Sequence, residues 1–444
     1  MFAHSEHNMK AFQVPIIYRS PLITAIKNRR RQQDKMKKDF LPALLDLGSL
    51  HIYLARHFGF CYGVENAIEI SFRTIDENPG RRIFLLSEMI HNPQVNADLL
   101  SRGVQFLQDT SGRQIIPFGS LTADDIVIIP AFGTTLEIEQ KLRSIGIQTE
   151  KYNTTCPFVE KVWNRSAQIA RKEYTVVVHG KPGHEETRAT FSHAASGTAS
   201  VIVKDMQEAR VLAEYIKGTM PADSFFAAFK DQYSEGFDIQ KNLQRIGVVN
   251  QTTMLASDTQ AIADFLRQTM IDRYGLTDTT VEERFADTRD TLCYATLDNQ
   301  SSVMGMLETP ADLAIVVGGY NSSNTGHLVE LCEDRLPTWF ISSEEKIISP
   351  QEIEHYDLHK RQELRTTGWL PGTPAIQPSA GPADMQAALS GPAVLQSRHA
   401  SSPTRILITS GASCPDALVE SVIRKLAGYF GAGHLIEELV ENWS

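Results

Sequence analysis

The stretch NTTCPFVEKVWNRSAQIARKEYTVVVHG (residues 153–180) decides how the chain is read. Within it, VEKVWNRSAQIARK (159–172) is amphipathic at helical spacing, and TVVVHG (175–180) is a β-branched run that ends in glycine. Helix then buried strand is the repeating unit of an α/β protein. Cys156 stands at the start of the helix-like part, and Pro157 directly after it suits a first helical turn.

Working outward, the same rhythm recurs. RRIFLL (81–86), DIVIIPAFG (125–133), ASVIVK (199–204), RIGVVNQTT (245–253), LAIVVGG (313–319) and RILITSGAS (405–413) all read as buried strands. SDTQAIADFLRQTMIDRYG (257–275) reads as another helix. Strand–helix alternation implies an α/β fold with parallel sheets. At 444 residues the chain exceeds one simple core, so several lobes are expected. Its net charge of -10 argues against general nucleic-acid binding. It contains no apolar run of the roughly 20 residues that a membrane helix needs. The N-terminus lacks a secretory pattern, so a cytoplasmic location is the default expectation.

The expected division is an N-terminal extension (1–49), three α/β lobes (50–150, 151–275 and 276–435) and a C-terminal tail (436–444). The basic run AIKNRRRQQDKMKK (25–38) reads as a solvated helix face. Residues 217–244 read as a decorated loop. Residues 355–403, rich in Pro, Gly, Ala and Ser, read as a surface insertion, partly disordered.

Five cysteines spread through the chain without a CxxC make a poor disulfide framework. Three share one setting: GFCYGVENAIEI (59–70), the Cys156 stretch and DTLCYATLDNQSSVMGML (290–307). A free cysteine is usually a small buried hydrophobe. Three thiols at helix starts, one for each of three lobes, instead suggest convergence on one site, with thiolates favoured by unpaired amide N–H groups. A four-iron cluster usually takes four thiolates. With only Cys61, Cys156 and Cys293, one iron would lack a protein ligand and could act as a Lewis acid. Cys332 reads as core, and Cys414 as a possible pocket neighbour. Two other readings are a diphosphate-binding module whose cysteines hold structural zinc or nothing, and a thiol redox enzyme that uses Cys61 alone.

Strand ends elsewhere carry anion-binding groups. VVGGYNSSNTGHLVEL (316–331) offers Ser322, Ser323 and Asn324, and LITSGASCPDALVESVI (407–423) offers Ser413. His91 in SEMIHNPQVNADLL (87–100) and His184 in VVVHGKPGHEETRAT (176–190) also follow strands. The anion loops contain no Lys or Arg, so charge would come from these histidines as imidazolium, from helix dipoles and from hydroxyls. Glu186 is the candidate proton donor, with a carboxyl expected to titrate high from desolvation and like charge. Thr252 in NQTTM is its candidate relay.

These motifs, in order, resemble the 4-hydroxy-3-methylbut-2-enyl diphosphate reductase family over most of residues 50–435. The resemblance rests on GFCYGVENA, HNPQV, NTTCPFVEKV, GHEET, NQTT, DTLCYAT, NSSN and SGAS. Its HGK…HEET…AT and PAFG variants look like the cyanobacterial and plant branch. It implies three α/β lobes in a pseudo-threefold, trefoil-like arrangement around a central iron–sulfur cavity. It implies a [4Fe-4S] cluster on Cys61, Cys156 and Cys293, and a diphosphate held at His91, His184, Ser322, Asn324 and Ser413, with Ser323 beside them. Glu186 matches the proton donor and Thr252 its partner near the substrate hydroxyl. The implied reaction yields isopentenyl and dimethylallyl diphosphates, the last step of the non-mevalonate isoprenoid pathway, with ferredoxin or flavodoxin as electron donor. Arg29–Arg31 is a candidate docking patch for that donor. Two positions depart from the family: Phe132 stands where many members have histidine, which should make that wall apolar, and Asn66 replaces a usual basic residue.

Overall fold

The computed structural model describes residues 12–36, 38–286, 291–371 and 402–443. α1 (Pro21–Gln33) opens the chain, and β1 (Ala43–Asp46) then folds back antiparallel on β2 (Leu50–Leu54). α2 (Tyr62–Glu77) crosses to a sheet built from β3 (Ile83–Leu85), α3 (Pro93–Ser101), β4 (Gln105–Phe106), β5 (Ile126–Ile128) and α4 (Leu136–Ile145). α5 (Pro157–Arg171) crosses to the next. It comprises β6 (Thr175–His179), α6 (Glu185–Ala195), β7 (Ser200–Val203), α7 (Met206–Lys217), the short α8 (Phe225–Ala228) and α9 (Ile239–Asn242), β8 (Ile246–Asn250), α10 (Ala256–Tyr274) and β9 (Phe285–Ala286). α11 (Tyr294–Leu307) crosses to β10 (Leu313–Val317), α12 (Ser323–Glu333) and β11 (Thr338–Ile341). An antiparallel trio follows, β12 (Ile347–Ser349), β13 (Glu352–Asp357) and β14 (Gln362–Thr367). β15 (Thr404–Ser410), α13 (Asp416–Tyr429) and α14 (Gly433–Trp443) complete the chain. The seven stretches expected to be strands are β3, β5, β6, β7, β8, β10 and β15.

One topology is used three times. The strand orders are β4-β3-β5, β7-β6-β8-β9 and β11-β10-β15-β2-β1. In each, the first strand of the unit is central and pairs in parallel with the second and third. A further segment then lies parallel to the third strand: Asn153 bridges to Ile129, β9 pairs with β8, and β2 pairs with β15. The third sheet is therefore closed by chain from near the N-terminus. β2, which a linear division assigns to the first lobe, pairs with β15 instead.

Helices cover both faces of these sheets, so their central strands are continuously apolar. Every residue of β6, β8 and β10 is buried. α5 shows how a crossover is fixed: Pro157 occupies its first turn, and Val159, Val162, Ser166 and Ile169 form its buried face. Val162 and Ile169 pack on Val176 and Val178 of β6. Each such side chain contributes about 1.5–3 kcal/mol by leaving water.

Several outer segments differ from expectation. α1 is solvated on one face only. Its Leu22, Ile23 and Ile26 are buried in the main core, Ser20 Oγ donates to Glu420, and Lys27 pairs with Asp416 at 2.7 Å. Arg30 is committed to Asp39 at 3.0 Å and to the Leu41 carbonyl at 2.9 Å. Residues 217–244 are a folded cap rather than a loop, because Phe225, Phe229 and Phe237 gather against Tyr215. The insertion expected from 355 begins inside the β13–β14 hairpin, while 372–401 lie outside the described residues. The expected tail lies mostly within α14, whose Ile436 is fully buried. Among the described residues no helix is long and apolar enough to cross a membrane.

Candidate active site

The crossover helices place the three cysteines. Cys61, Cys156 and Cys293 are the N-cap residues of α2, α5 and α11, each in extended backbone geometry. Each stands where the chain leaves one parallel sheet for the next. Their backbones are pinned by amide donation to Ala412, Ala131 and Thr252 carbonyls at 3.2, 2.9 and 3.3 Å. All three are free thiols, partly buried. They lie close enough that Cys293 and Cys156 raise the titration of Cys61, Cys293 raises that of Cys156, and Tyr294 feels all three. A Cβ built on Gly63 would lie 2.5 Å from Cys156 Sγ, so only glycine lets α2 approach the second sulfur.

The expected thiolates are overridden by burial. Desolvation pushes Cys61 up most, with Cys293 and Cys156 adding to it, takes Cys156 to about 12, and raises Cys293. Against this, each sulfur faces two N–H groups, two and three residues on: Gly63 and Val64, Phe158 and Val159, Ala295 and Thr296. Three crowded thiols with amide donors aimed at them need a cationic group to hold them as thiolates. Among the described residues no His, Cys, Asp or Glu group is spaced for a single metal ion. The other two cysteines stand apart. Cys332 is core, as expected. Cys414 is packed in that same core, with its Sγ toward the Pro415 carbonyl at 3.6 Å, and is not a pocket neighbour.

Glu186 and Thr252 lie beside the sulfurs. Thr252 donates its N–H to Glu186 Oε1 at 2.5 Å and its hydroxyl to Oε2 at 3.0 Å. Burial pushes the Glu186 carboxyl up to about 7, against those two bonds and the nearby His91. Desolvation is thus the cause, and like charge is not needed. Glu186 in turn raises Cys156 and Cys293, which places it within electrostatic reach of both.

A second cluster gathers the expected anion-binding residues at the first loop of each sheet. His91 follows β3, His184 follows β6, and Ser322–Asn324 follow β10. His91 Nε2 lies 3.2 Å from His184 Nε2. Phe132 stacks on His91 with ring centroids 4.3 Å apart, an apolar wall as expected. His184 Nδ1 accepts the Glu186 N–H at 3.2 Å, and burial, then His91, Lys181 and Arg188, hold this imidazole well below its usual range. Burial thus works against the imidazolium that a bound diphosphate is expected to favour at His184. Ser413 Oγ donates to the His91 carbonyl at 3.1 Å. Ser322 caps α12 through the Thr325 N–H at 3.2 Å, with Ser323 and Asn324 buried in the first turn. Asn324 Oδ1 accepts the Ala412 N–H at 2.9 Å, while its Nδ2 is buried without a partner among the described residues. An orphaned amide donor at a helix N-terminus suits an anion.

One neighbour escaped the sequence reading. Glu185 is buried, accepts a hydrogen bond from Ser87, and places Oε2 3.6 Å from His91 Nε2. The doubled carboxylate of HEET was its only signal.

The family model described as LytB protein matches residues 52–427. The chain is 37% identical over 383 residues to the 4-hydroxy-3-methylbut-2-enyl diphosphate reductase of Synechococcus sp. (strain WH7803), with 86% of each chain covered. It is 35% identical over 414 residues to the reductase of that name from Gloeobacter violaceus, with 90% of each covered. The solved E-1-hydroxy-2-methyl-but-2-enyl-4-diphosphate reductase of Plasmodium falciparum shares the fold at TM-score 0.56 and 19% identity, covering 85% of this chain and 87% of that one. Relatives alike across most of both lengths, and a family match from β2 to α13, make this chain an enzyme of the LytB family of 4-hydroxy-3-methylbut-2-enyl diphosphate reductases.

Proposed function

We propose that the chain removes the hydroxyl of (E)-4-hydroxy-3-methylbut-2-enyl diphosphate reductively, giving isopentenyl and dimethylallyl diphosphates. The observation that carries this reading is the approach of three helix-capping thiols to one another beside the Glu186–Thr252 pair. The three like sheets would then stand as a pseudo-threefold trefoil about that point. Cys61, Cys156 and Cys293 would hold a [4Fe-4S] cluster, which when bound supplies electrons and one iron without a protein ligand as a Lewis acid.

The balance requires two electrons and two protons: the C–O bond breaks, water leaves, and a C–H bond forms. Glu186 stands ready for one proton, because burial raises its carboxyl to about 7, near neutrality. Thr252 orients that carboxyl through two hydrogen bonds and presents its own hydroxyl at the same place. Ser322, Ser323, Asn324 and Ser413, with His91 and His184, grip the diphosphate and so fix how far the hydroxyl end reaches. Protonation at either end of the three-carbon system gives the two products. Electrons would come one at a time from a ferredoxin- or flavodoxin-class donor.

Anaerobic purification tests the reading. A brown chain with about four irons and four sulfides is expected, and a colourless zinc-bound chain would overturn it. Glu186→Gln should keep cluster and substrate affinity but lose turnover by about 10²–10⁴-fold. Unchanged turnover would remove Glu186 from this role.

A further inference from the structure

Glu185 and Glu186 are neighbours at the start of α6, yet they serve different groups. Successive helical residues project about 100° apart. Glu186 reaches Thr252, whereas Glu185 reaches back to Ser87 and His91. Glu185 Oε1 is held by the Ser87 hydroxyl, and Oε2 is buried with no hydrogen-bond partner among the described residues. A buried carboxylate oxygen left that way is costly, so the group serves a state in which Oε2 is paired.

The tautomers show which state. His184 Nδ1 accepts an amide N–H, which can only donate, so the His184 proton is on Nε2. That Nε2–H points at His91 Nε2, which must accept it. His91 then carries its proton on Nδ1, 3.6 Å from Glu88 Oε2. In this arrangement Glu185 Oε2 lies 3.6 Å from a His91 Nε2 whose one lone pair already takes the His184 N–H, so an ionised carboxylate meets no donor there and a protonated one fits better.

We propose that Glu185 is the positioning residue of the anion end of the site: fixed by Ser87, it stores a proton that passes to His91 Nε2 when the diphosphate enters. The O–H bond of the carboxyl breaks and an N–H bond forms, leaving a carboxylate–imidazolium pair behind the bound anion. His91 and His184 then cannot keep two N–H groups facing each other, and the rings part to point both at the phosphate oxygens. The charge that the loops after β10 and β15 lack is thus made on binding, beside Lys181 and Arg188, which already act on His184. Burial pushes the Glu185 carboxyl up to about 7, so the proton is available near neutrality. His91 and Arg188 and the Ser87 hydroxyl work against that rise, and Glu88 adds to it. Arg188 is itself anchored on the Thr110 and Ser111 carbonyls.

The proposal rests on reading this pocket as the diphosphate site, and one set of variants separates the two. Calorimetric titration of the anaerobic holoenzyme with inorganic diphosphate, in two buffers of different ionisation enthalpy near pH 7, counts the protons taken up. The parent, whose proton comes from Glu185, should take up well under one, whereas Glu185→Gln, which stores none, should draw more from the buffer and bind more weakly. In turnover of the allylic diphosphate, Glu185→Gln should raise KM about tenfold or more and leave kcat within about threefold. Ser87→Ala, which keeps the carboxyl but frees it, should lie between, and it decides the matter if the Gln variant fails to fold. Parental proton uptake and KM in both variants would overturn the assignment of Glu185, provided His91→Ala weakens binding. If His91→Ala also leaves diphosphate affinity unchanged, it is the pocket reading that fails.

Discussion

Gly63→Ala perturbs the proposed cluster site without touching a cysteine. The added methyl carbon would lie 2.5 Å from Cys156 Sγ and 3.1 Å from its Cβ. Ordinary contacts begin near about 3.5–4.0 Å, so the sulfur must retreat by roughly 1 Å or swing to another rotamer. Cluster ligation tolerates only about 0.2 Å. The fold itself should hardly suffer. Gly63 lies in the first turn of α2, where alanine gains about 0.5–1 kcal/mol of helix stability against about 1–3 kcal/mol of overpacking. The expected result is a metal-free chain whose Tm shifts by no more than about 4 °C, but whose iron and sulfide content after anaerobic loading falls below half. Thermal melts of the apo chain and iron and sulfide analysis of the loaded one measure both. A Gly63→Ala protein with full iron content and parental turnover would show that Cys156 Sγ does not point where this reasoning needs it.

Other predictions follow from the carboxyls and the anion loops. Thr252→Val keeps the N–H to Glu186 but removes the hydroxyl, which favours the carboxylate. The Glu186 titration should therefore rise, and if its acid form delivers the proton as proposed, the alkaline limb of kcat against pH should move up by roughly one unit. A limb that stays in place would free Thr252 from its role. In the metal-free chain Glu185 and Glu186 both titrate higher folded than unfolded. Their contribution to stability is whole below the unfolded carboxylate range and drains as pH rises through about 7, so Glu186→Gln should lose less Tm than the parent between about pH 6 and pH 8. Asn324→Asp puts a negative charge where an orphaned donor stands, and KM should rise at least tenfold with the cluster intact. An unchanged KM would place the anion elsewhere.

The strands were legible because parallel sheets covered on both faces need unbroken β-branched runs, and the seven runs read from the sequence became strands. The cysteines were legible as a set because one crossover topology repeats, and each repeat caps a helix with the same residue type. Their protonation was not: the helix ends pull toward thiolate, but the depth of burial that outweighs them is a tertiary property. The partner of β2 was also hidden, since nothing local in LHIYL says that it will lie beside β15. The same holds for residues 217–244. Their phenylalanines looked like loop decoration until the fold brought Tyr215 beneath them. Glu185 was passed over because one helix-start glutamate reads much like the next, and only the loop carrying Ser87 and His91 distinguishes them.

The pairing of β2 with β15 bears on how the enzyme is made. Ser20 meets Glu420 across 400 residues, His91 and Ser413 join across 322, and the Cys61 amide waits for the Ala412 carbonyl. On the ribosome, the segment bearing Cys61 emerges long before the strand that will steady it. Such long-range closure is slow, so the three sulfurs stay unassembled until synthesis is nearly over. If these cysteines take the proposed cluster, its loading would follow synthesis, and a truncation that removes β15 should leave a nascent chain unable to receive it.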